Sequence, residues 1–331
     1  MTRATVLSGL GTSLPDSVIT NAQLAEALDT TDDWILSRTG IQTRHVVDAS
    51  VTTGKLGLKA AARALSSAGI KQIDAVILAT ATPDFACPAT APQIASRLGL
   101  TGAVAFDLSA VCSGFIYGLS VASGLITSGI VNNVLLIGAD TFSQTLDPQD
   151  RTTRAIFGDG AGAVVLRAGE ISEPGALLAF DLGSDGSQAD LLFTPNMPRI
   201  AKENMPESYY FHMNGKAVFS QAVTHMTNSV KRVIGKIGWN SSDIHRLVPH
   251  QANIRIMAAV ADQLDVEPDR VVSNISEVGN TVAASIPLAL SHGVKHGQLH
   301  AGDNVVLTAF GAGLTWGSVA LRWPDISNSS R

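Results

Sequence analysis

The stretch AGIKQIDAVILATAT (Ala68–Thr82) is echoed later in the chain by IGWNSSDIHRLVPHQA (Ile237–Ala252). Each opens on a helix-ending glycine, passes an Ile/Asp pair and enters an apolar strand. NNVLLIGAD (Asn132–Asp140) is likewise echoed by DNVVLTAFG (Asp303–Gly311). Each of these leads into a Gly-rich turn and a further strand, GDGAGAVVLR (Gly158–Arg167) and GAGLTWGSVALR (Gly311–Arg322). Such repetition requires the chain to build one supersecondary unit twice. With 331 residues it also exceeds the usual span of a single hydrophobic core. The expected organisation is therefore two halves, 1–170 and 171–331.

Within the halves, short β-branched runs alternate with alanine-rich stretches. Ala75–Thr80, Asn133–Gly138, Ala163–Leu166, Arg246–Val248 and Val305–Thr308 are apolar on both faces, as strands of a sheet covered on both sides must be. Helices are expected over Gly57–Ala68, Thr90–Leu98, Ser113–Ser128, Lys216–Ile237, Ala252–Leu264 and Thr281–His292. This alternation is that of an α/β protein. A chain that is 45% apolar and only 15% charged can bury a large core. Its formal charge of −5, with no long basic run, argues against a nucleic-acid partner. No apolar run is long enough to span a bilayer. The first residues, Met1–Leu7, read into a strand and lack the apolar region of a signal peptide. The two cysteines, Cys87 and Cys112, form no disulfide framework or zinc motif. A cytoplasmic protein with reduced thiols is expected.

Three residues carry chemical promise. Cys112 lies where the strand VAFDLS ends and a helix of small residues begins. A helix N-terminus favours thiolate, so a lowered thiol pKa is expected there. A free cysteine more often packs as a small hydrophobe, and Cys87 has that character. His250 follows the strand entering Pro249, at a strand end where α/β folds place their ligands. Asn280, in Gly279-Asn280-Thr281, is equally readable as a helix N-cap. Cys112 and Asn280 fall at similar distances after Gly69 and Gly238. If the halves are pseudo-symmetric, the two residues occupy equivalent helix starts facing one cavity. The loop Phe310-Gly311-Ala312-Gly313 is either a tight turn or a source of backbone N–H groups for an oxyanion.

Taken together, these segments resemble the β-ketoacyl-ACP synthase III family of the thiolase superfamily over nearly the whole chain. The matching signatures are Asp33-Trp34-Ile35-Leu36-Ser37-Arg38-Thr39-Gly40-Ile41, the Cys112 turn, Phe157-Gly158-Asp159-Gly160-Ala161-Gly162, Pro249-His250-Gln251-Ala252-Asn253, Gly279-Asn280-Thr281, and Phe310 to Gly313 with Thr315-Trp316-Gly317. The resemblance implies a thiolase-like five-layer αβαβα fold built from two pseudo-symmetric halves, a homodimer, and a Cys112-His250-Asn280 site at the bottom of a tunnel. It implies that Cys112 takes an acyl group from an acyl-CoA primer. The acyl group then condenses decarboxylatively with malonyl-ACP or malonyl-CoA to start a fatty acid. His250 and Asn280 would stabilise the enolate, and the Cys112 and Ala312 amides the oxyanion. Phe310 and Phe157 would shape the pocket. Coenzyme A would lie on Trp34, Arg38, Arg151, Lys216, Ala252 and Asn253, and Arg255 would help dock acyl carrier protein. No cofactor beyond the coenzyme A thioesters themselves is implied, and no metal.

Three departures from the family pattern stand out. Cys87 occupies a position where a large Phe commonly reaches across the dimer to cap the partner's acyl pocket, so room for a primer larger than acetyl is expected. Lys216 replaces an Asn beside the pantetheine arm. Asp262 and Gln263 replace lysines that meet the acidic carrier, which weakens steering toward it. A thiolase is improbable, because Gly311-Ala312-Gly313 lacks the second cysteine that activity needs. Elongating ketosynthases use a second histidine where Asn280 stands. A quinolone- or polyketide-starter synthase, or an acyltransferase acting on oxygen or nitrogen, shares the triad and remains the alternative. A catalytically dead partner subunit is disfavoured by the intact triad.

Overall fold

A computed structural model of the protein describes residues 3–195 and 209–326. From the N-terminus, β1 (Arg3–Ser13) leads to a short hairpin of β2 (Val18–Thr20) and β3 (Thr43–His45), whose connection carries α1 (Asn21–Ala27) and α2 (Asp32–Thr39). Then come α3 (Thr53–Ala68), β4 (Ala75–Ala79), α4 (Ala91–Arg97), β5 (Val104–Leu108), α5 (Gly114–Thr127), β6 (Asn133–Asp140), α6 (Arg151–Arg154) and β7 (Gly160–Glu170). The second half runs β8 (Leu177–Ser184), β9 (Leu192–Phe193), β10 (His212–Met213), α7 (Gly215–Gly235), β11 (Arg246–Pro249), α8 (Ile254–Gln263), α9 (Ile275–Val278), α10 (Ser285–Lys295), β12 (Asn304–Gly311) and β13 (Thr315–Arg322). All five strands expected from the apolar runs form. Met1 and Thr2 of the expected N-terminal strand lie outside the described residues.

Two sheets dominate. The first has the order β1-β7-β6-β4-β5 and the second β8-β13-β12-β11. β4 pairs parallel to β5 and β6, and β11 pairs parallel to β12. The order of one sheet maps onto the other. An isolated parallel bridge, Leu247 to Val271, stands where the second sheet would have its β5 counterpart. The echo in the sequence is thus an echo in topology.

Period-two alternation sorts the side chains into layers. Val76, Leu78, Leu135 and Ile137 face α3 and α4 on one side of the first sheet. Ile77, Val134 and Leu136 face the other way, onto α5 and α10. Those two helices also pack against Val305, Leu307, Val319 and Leu321 of the second sheet. Leu247, Val306 and Ala320 point to the far side, under α7 and α8. The result is the five-layer thiolase-like αβαβα fold. Among the described residues no helix is long and apolar enough to cross a membrane.

The expected equivalence of Cys112 and Asn280 does not hold. In each half a 3₁₀ turn precedes the central helix: Val111–Ser113 before α5 and Val282–Ala284 before α10. Each turn opens on a valine in the left-handed region, with φ of 46° at Val111 and 53° at Val282. The structural counterpart of Cys112 is therefore Ala283. Asn280 sits before its turn, and the helix expected to start at Thr281 begins at Ser285.

The central layer should carry much of the stability. Leu136 is fully buried there, so Leu136→Ala is expected to cost about 2–5 kcal/mol. Ile130, 68% exposed, should tolerate Ile130→Ser within about 0.5 kcal/mol. Denaturant titration of both variants against the wild type checks the pair.

Candidate active site

Cys112 is the middle residue of the 3₁₀ turn after β5. The turn is held from below by Ser113, which is fully buried. The Ser113 hydroxyl donates to the Ala110 carbonyl at 2.8 Å, and its oxygen lies 2.6 Å from Thr315 Oγ1. Thr315 in turn donates to the Ala312 carbonyl at 3.0 Å. The cysteine turn and the Ala312 loop are therefore tied together. A Cβ at Gly311 would lie 3.0 Å from the Cys112 nitrogen and 3.1 Å from that of Ser113. Only glycine avoids that clash and leaves the Cys112 amide open, the Ser113 amide being already donated to the Ala110 carbonyl at 3.1 Å.

The thiol does not show the lowered pKa expected at a helix start. Burial pushes it up to about 12, and the Asp140 carboxylate adds to the rise; a hydrogen bond from its own amide only partly opposes them. One short turn of dipole loses to desolvation by an apolar cavity.

His250 follows β11 and is 1% exposed. Its backbone N–H donates to the Thr308 carbonyl at 2.7 Å, and Nδ1 meets Ser285 Oγ at 2.6 Å. Burial pulls its pKa down to about 3, so the imidazole is neutral throughout the physiological range. Nε2 is left for the cavity that His250 lines.

Asn280 is 5% exposed. Its Oδ1 accepts from the Val282 N–H at 3.0 Å, which fixes the orientation of the amide and leaves the Nδ2 protons for the cavity. The capping and catalytic readings of Asn280 are thus compatible: the oxygen caps the turn while the NH₂ group remains available. Its backbone forms a parallel bridge with Phe157. The Asn280 N–H donates to the Ile156 carbonyl at 2.9 Å, and the Gly158 N–H to the Asn280 carbonyl at 3.0 Å. The chains cross so closely here that a Cβ at Gly158 would lie 2.4 Å from the Val278 carbonyl oxygen. Asp159, next in the motif, has a structural task. It is fully buried and accepts from the Val47 and Ser143 amides and the Ser143 hydroxyl.

Cys112, His250, Asn280, Phe310 and Ala312 line one cavity of ≈130 Å³, together with Phe157, Ala252 and Asn253. Phe142, Phe157 and Phe211 form its aromatic wall, with ring centroids 4.8, 5.0 and 5.3 Å apart. Phe142 and Phe211 belong to no motif and were not anticipated. Cys87 is exposed and lies away from the cavity of its own chain.

A second cleft contains Trp34, Arg38, Lys216, Asn253 and Arg255. It shares Ile156, Met213, Gly215 and Asn253 with the cavity, so the two are continuous. The guanidinium carbons of Arg38 and Arg151 lie 4.7 and 5.2 Å from the Trp34 ring centroid. Asp29 holds Arg151 through its carbonyl and its carboxylate. An aromatic plate flanked by guanidinium groups suits an adenine with phosphates. Asn253 has a task of its own, since its side-chain oxygen caps α8 by accepting from the Ile256 N–H at 3.0 Å.

Residues 106–186 match the family model for 3-oxoacyl-[acyl-carrier-protein (ACP)] synthase III, and residues 234–323 match the model for its C-terminal part. A β-ketoacyl-[acyl-carrier-protein] synthase III from Pseudomonas aeruginosa is 63% identical to this chain over 326 residues, 98% of each. The crystal structure of 3-oxoacyl-(acyl carrier protein) synthase III from P. aeruginosa PAO1 superposes with a TM-score of 0.93 at 62% identity, covering 98% of this chain and 99% of that one. The priming β-ketosynthase of the R1128 polyketide biosynthetic pathway superposes with a TM-score of 0.91 at 32% identity, over 98% and 97% of the two chains.

The raised thiol pKa has a direct consequence. Thiolate is the reactive form, and its fraction grows about tenfold per pH unit below the pKa. Alkylation of Cys112 by iodoacetamide should therefore climb steadily from neutral pH into the alkaline range, as read by mass spectrometry of the labelled peptide. A plateau near neutrality would mean that the helix start outweighs burial.

Proposed function

Because the chain belongs to the β-ketoacyl-[acyl-carrier-protein] synthase III family, we infer that its three converging polar side chains divide one decarboxylative condensation between them. The enzyme is an acyltransferase that initiates fatty acid synthesis by condensation. The observation that carries the assignment of roles is the convergence of Cys112, His250 and Asn280 on a single apolar cavity.

The Cys112 sulfur attacks the carbonyl of an acyl-CoA. The C–S bond to coenzyme A breaks, and the thiol proton leaves with the coenzyme A sulfur. The Cys112 amide, kept open by Gly311, and the Ala312 amide hold the oxyanion. A malonyl thioester then enters along the same route. His250 Nε2–H and Asn280 Nδ2–H donate to its thioester oxygen as the bond to CO₂ breaks, so that charge developing on that oxygen meets two neutral donors. The enolate carbon bonds to the acyl carbonyl, Cys112 departs and takes up a proton, and the 3-ketoacyl thioester is released. Phe157 and Phe310 keep water away from the malonyl carboxylate, which favours its loss as neutral CO₂.

Trp34, Arg38 and Arg151 bind the coenzyme A nucleotide at the cleft, and Lys216, Ala252 and Asn253 flank the arm reaching inward. Arg255, whose guanidinium lies 5.7 Å from the Phe219 ring centroid, meets the carrier protein. Asp262 on the same helix weakens that attraction, so free malonyl-CoA is a competent alternative extender. A second copy of the chain covers β5, the half-exposed edge strand with Val104 52% exposed. The loop bearing Cys87 packs beside it, since the Thr90 and Ala91 amides both donate to Asp107. We place this homodimer in the cytoplasm, using coenzyme A thioesters and no further cofactor.

The cavity is small, ≈130 Å³, and bounded by the packed rings of Phe142, Phe157 and Phe211. That suits a short primer, and the aromatic wall stands where a longer chain would pass. Intact mass after incubation with a panel of acyl-CoAs tests both points. The wild type is expected to gain an acetyl group readily and a longer acyl group poorly, Cys112→Ala to gain neither, and Phe211→Ala to gain longer groups. Ready acylation of the wild type by long or aromatic acyl-CoAs would contradict the short-primer reading and favour a specialised pathway. Acylation surviving in Cys112→Ala would remove the nucleophile assignment.

A further inference from the structure

We propose that Ser285 is a positioning residue: its hydroxyl donates to His250 Nδ1 and thereby fixes the single proton of the imidazole on Nε2, the nitrogen that faces the substrate. This rests on the role given to His250 above and adds the element that makes that role possible.

Donors and acceptors at Ser285 leave one arrangement. Ser285 is the first residue of α10 and is fully buried. Its oxygen accepts the Gln251 N–H at 3.1 Å and lies 2.6 Å from His250 Nδ1. An amide N–H can only donate, so the hydroxyl proton is free for the other partner. Among the described residues, Nδ1 is the one acceptor in contact with it. In the opposite tautomer, Nδ1–H would point at the serine oxygen and the hydroxyl proton would have no acceptor in a site closed to water. The proton a histidine carries on one nitrogen is set by the bond the other makes, and here that bond is to Ser285.

Ser285 is itself held in place from the opposite half of the molecule. The turn before it is anchored by the Ala283 N–H, which donates to Asp140 Oδ2 at 3.0 Å. Asp140, fully buried at the end of β6, also accepts from the Ala81 N–H at 2.7 Å and from the hydroxyls of Thr80 and Thr82. A line of contacts therefore runs from the first sheet through Asp140, Ala283 and Ser285 to His250 on the second. If the proton moved to Nδ1, Nε2 would offer a lone pair to an oxygen gaining negative charge, and decarboxylation would lose a donor and meet repulsion. Acylation of Cys112 uses no proton from Nε2 and would continue.

The test uses the full-length enzyme with ¹⁵N in its histidine rings, the His250 signals being assigned by their loss in His250→Gln. At neutral pH the wild type is expected to show Nε2 protonated and Nδ1 bare. In Ser285→Ala the Nδ1-protonated form should appear. Decarboxylation of malonyl-CoA by the acylated enzyme should then fall about 10- to 100-fold, the size of effect that follows removal of the orienting partner of a metal-bound histidine. Self-acylation of Cys112 should proceed, and Ser285→Thr, which restores the hydroxyl, should recover both the tautomer and the decarboxylation rate. The proposal is overturned if Ser285→Ala keeps the Nε2–H tautomer or decarboxylates as fast as the wild type while His250→Gln is inactive. If His250→Gln itself decarboxylates normally, the role of His250 fails, and this inference fails with it.

Discussion

Two backbone hydrogen bonds, from the Asn280 N–H to the Ile156 carbonyl and from the Gly158 N–H to the Asn280 carbonyl, stitch the two halves of the chain together at the cavity. Everything else in the site is arranged around that crossing. It aims Asn280 inward, sets Phe157 beside it, and requires glycine at 158 and 279, where a side chain would strike the facing carbonyl. From the same segment the chain turns through the left-handed Val282 into α10, whose first residue reaches His250. The first half contributes the matching turn with Cys112. The polar side chains of the cavity thus come from both halves, Cys112 from the first and His250 and Asn280 from the second.

The site's chemistry follows from its dryness. Burial keeps His250 neutral, so in the proposed reaction it enters as a hydrogen-bond donor and not as a cation. The same burial keeps Cys112 a thiol at rest. A site proposed to hold an anionic enolate would ordinarily gather positive charge. Among the described residues no Lys or Arg lines the inner cavity; Arg38, Lys216 and Arg255 lie in the adjoining cleft, and the cavity presents oriented neutral dipoles. In a medium of low polarity such dipoles act strongly and need little reorganisation as charge develops. A neutral cavity also gives no reward to the malonyl carboxylate for staying charged.

Much of this was legible in the residues. The echoed segments announced two sheets of like topology, and the apolar runs located their strands because a strand covered on both faces must be apolar throughout. Cys112, His250 and Asn280 were legible because each stands at a strand or helix boundary in a distinctive local run. What stayed hidden depended on contacts distant in sequence. Counting from Gly69 and Gly238 paired Cys112 with Asn280, whereas the left-handed valines pair it with Ala283; a residue count carries no backbone angles. The helix start beside Cys112 can be read from sequence, but the apolar wall that overrides it cannot, because Phe142 and Phe211 reach the cavity from segments with no motif. Ser285 is adjacent to a recognisable run, yet nothing in the run says that it will meet His250.

In the proposed reaction the acyl group on Cys112 leaves by forming a carbon–carbon bond as CO₂ departs. A single turnover of purified acyl-enzyme with isotopically labelled malonyl-CoA measures this directly, by counting CO₂ released against acyl groups lost from Cys112. One CO₂ for each acyl group lost, with a 3-ketoacyl thioester recovered in equal amount, is the result this account requires. Loss of the acyl group to water or to an added alcohol or amine, with the labelled malonyl-CoA left intact, would contradict it.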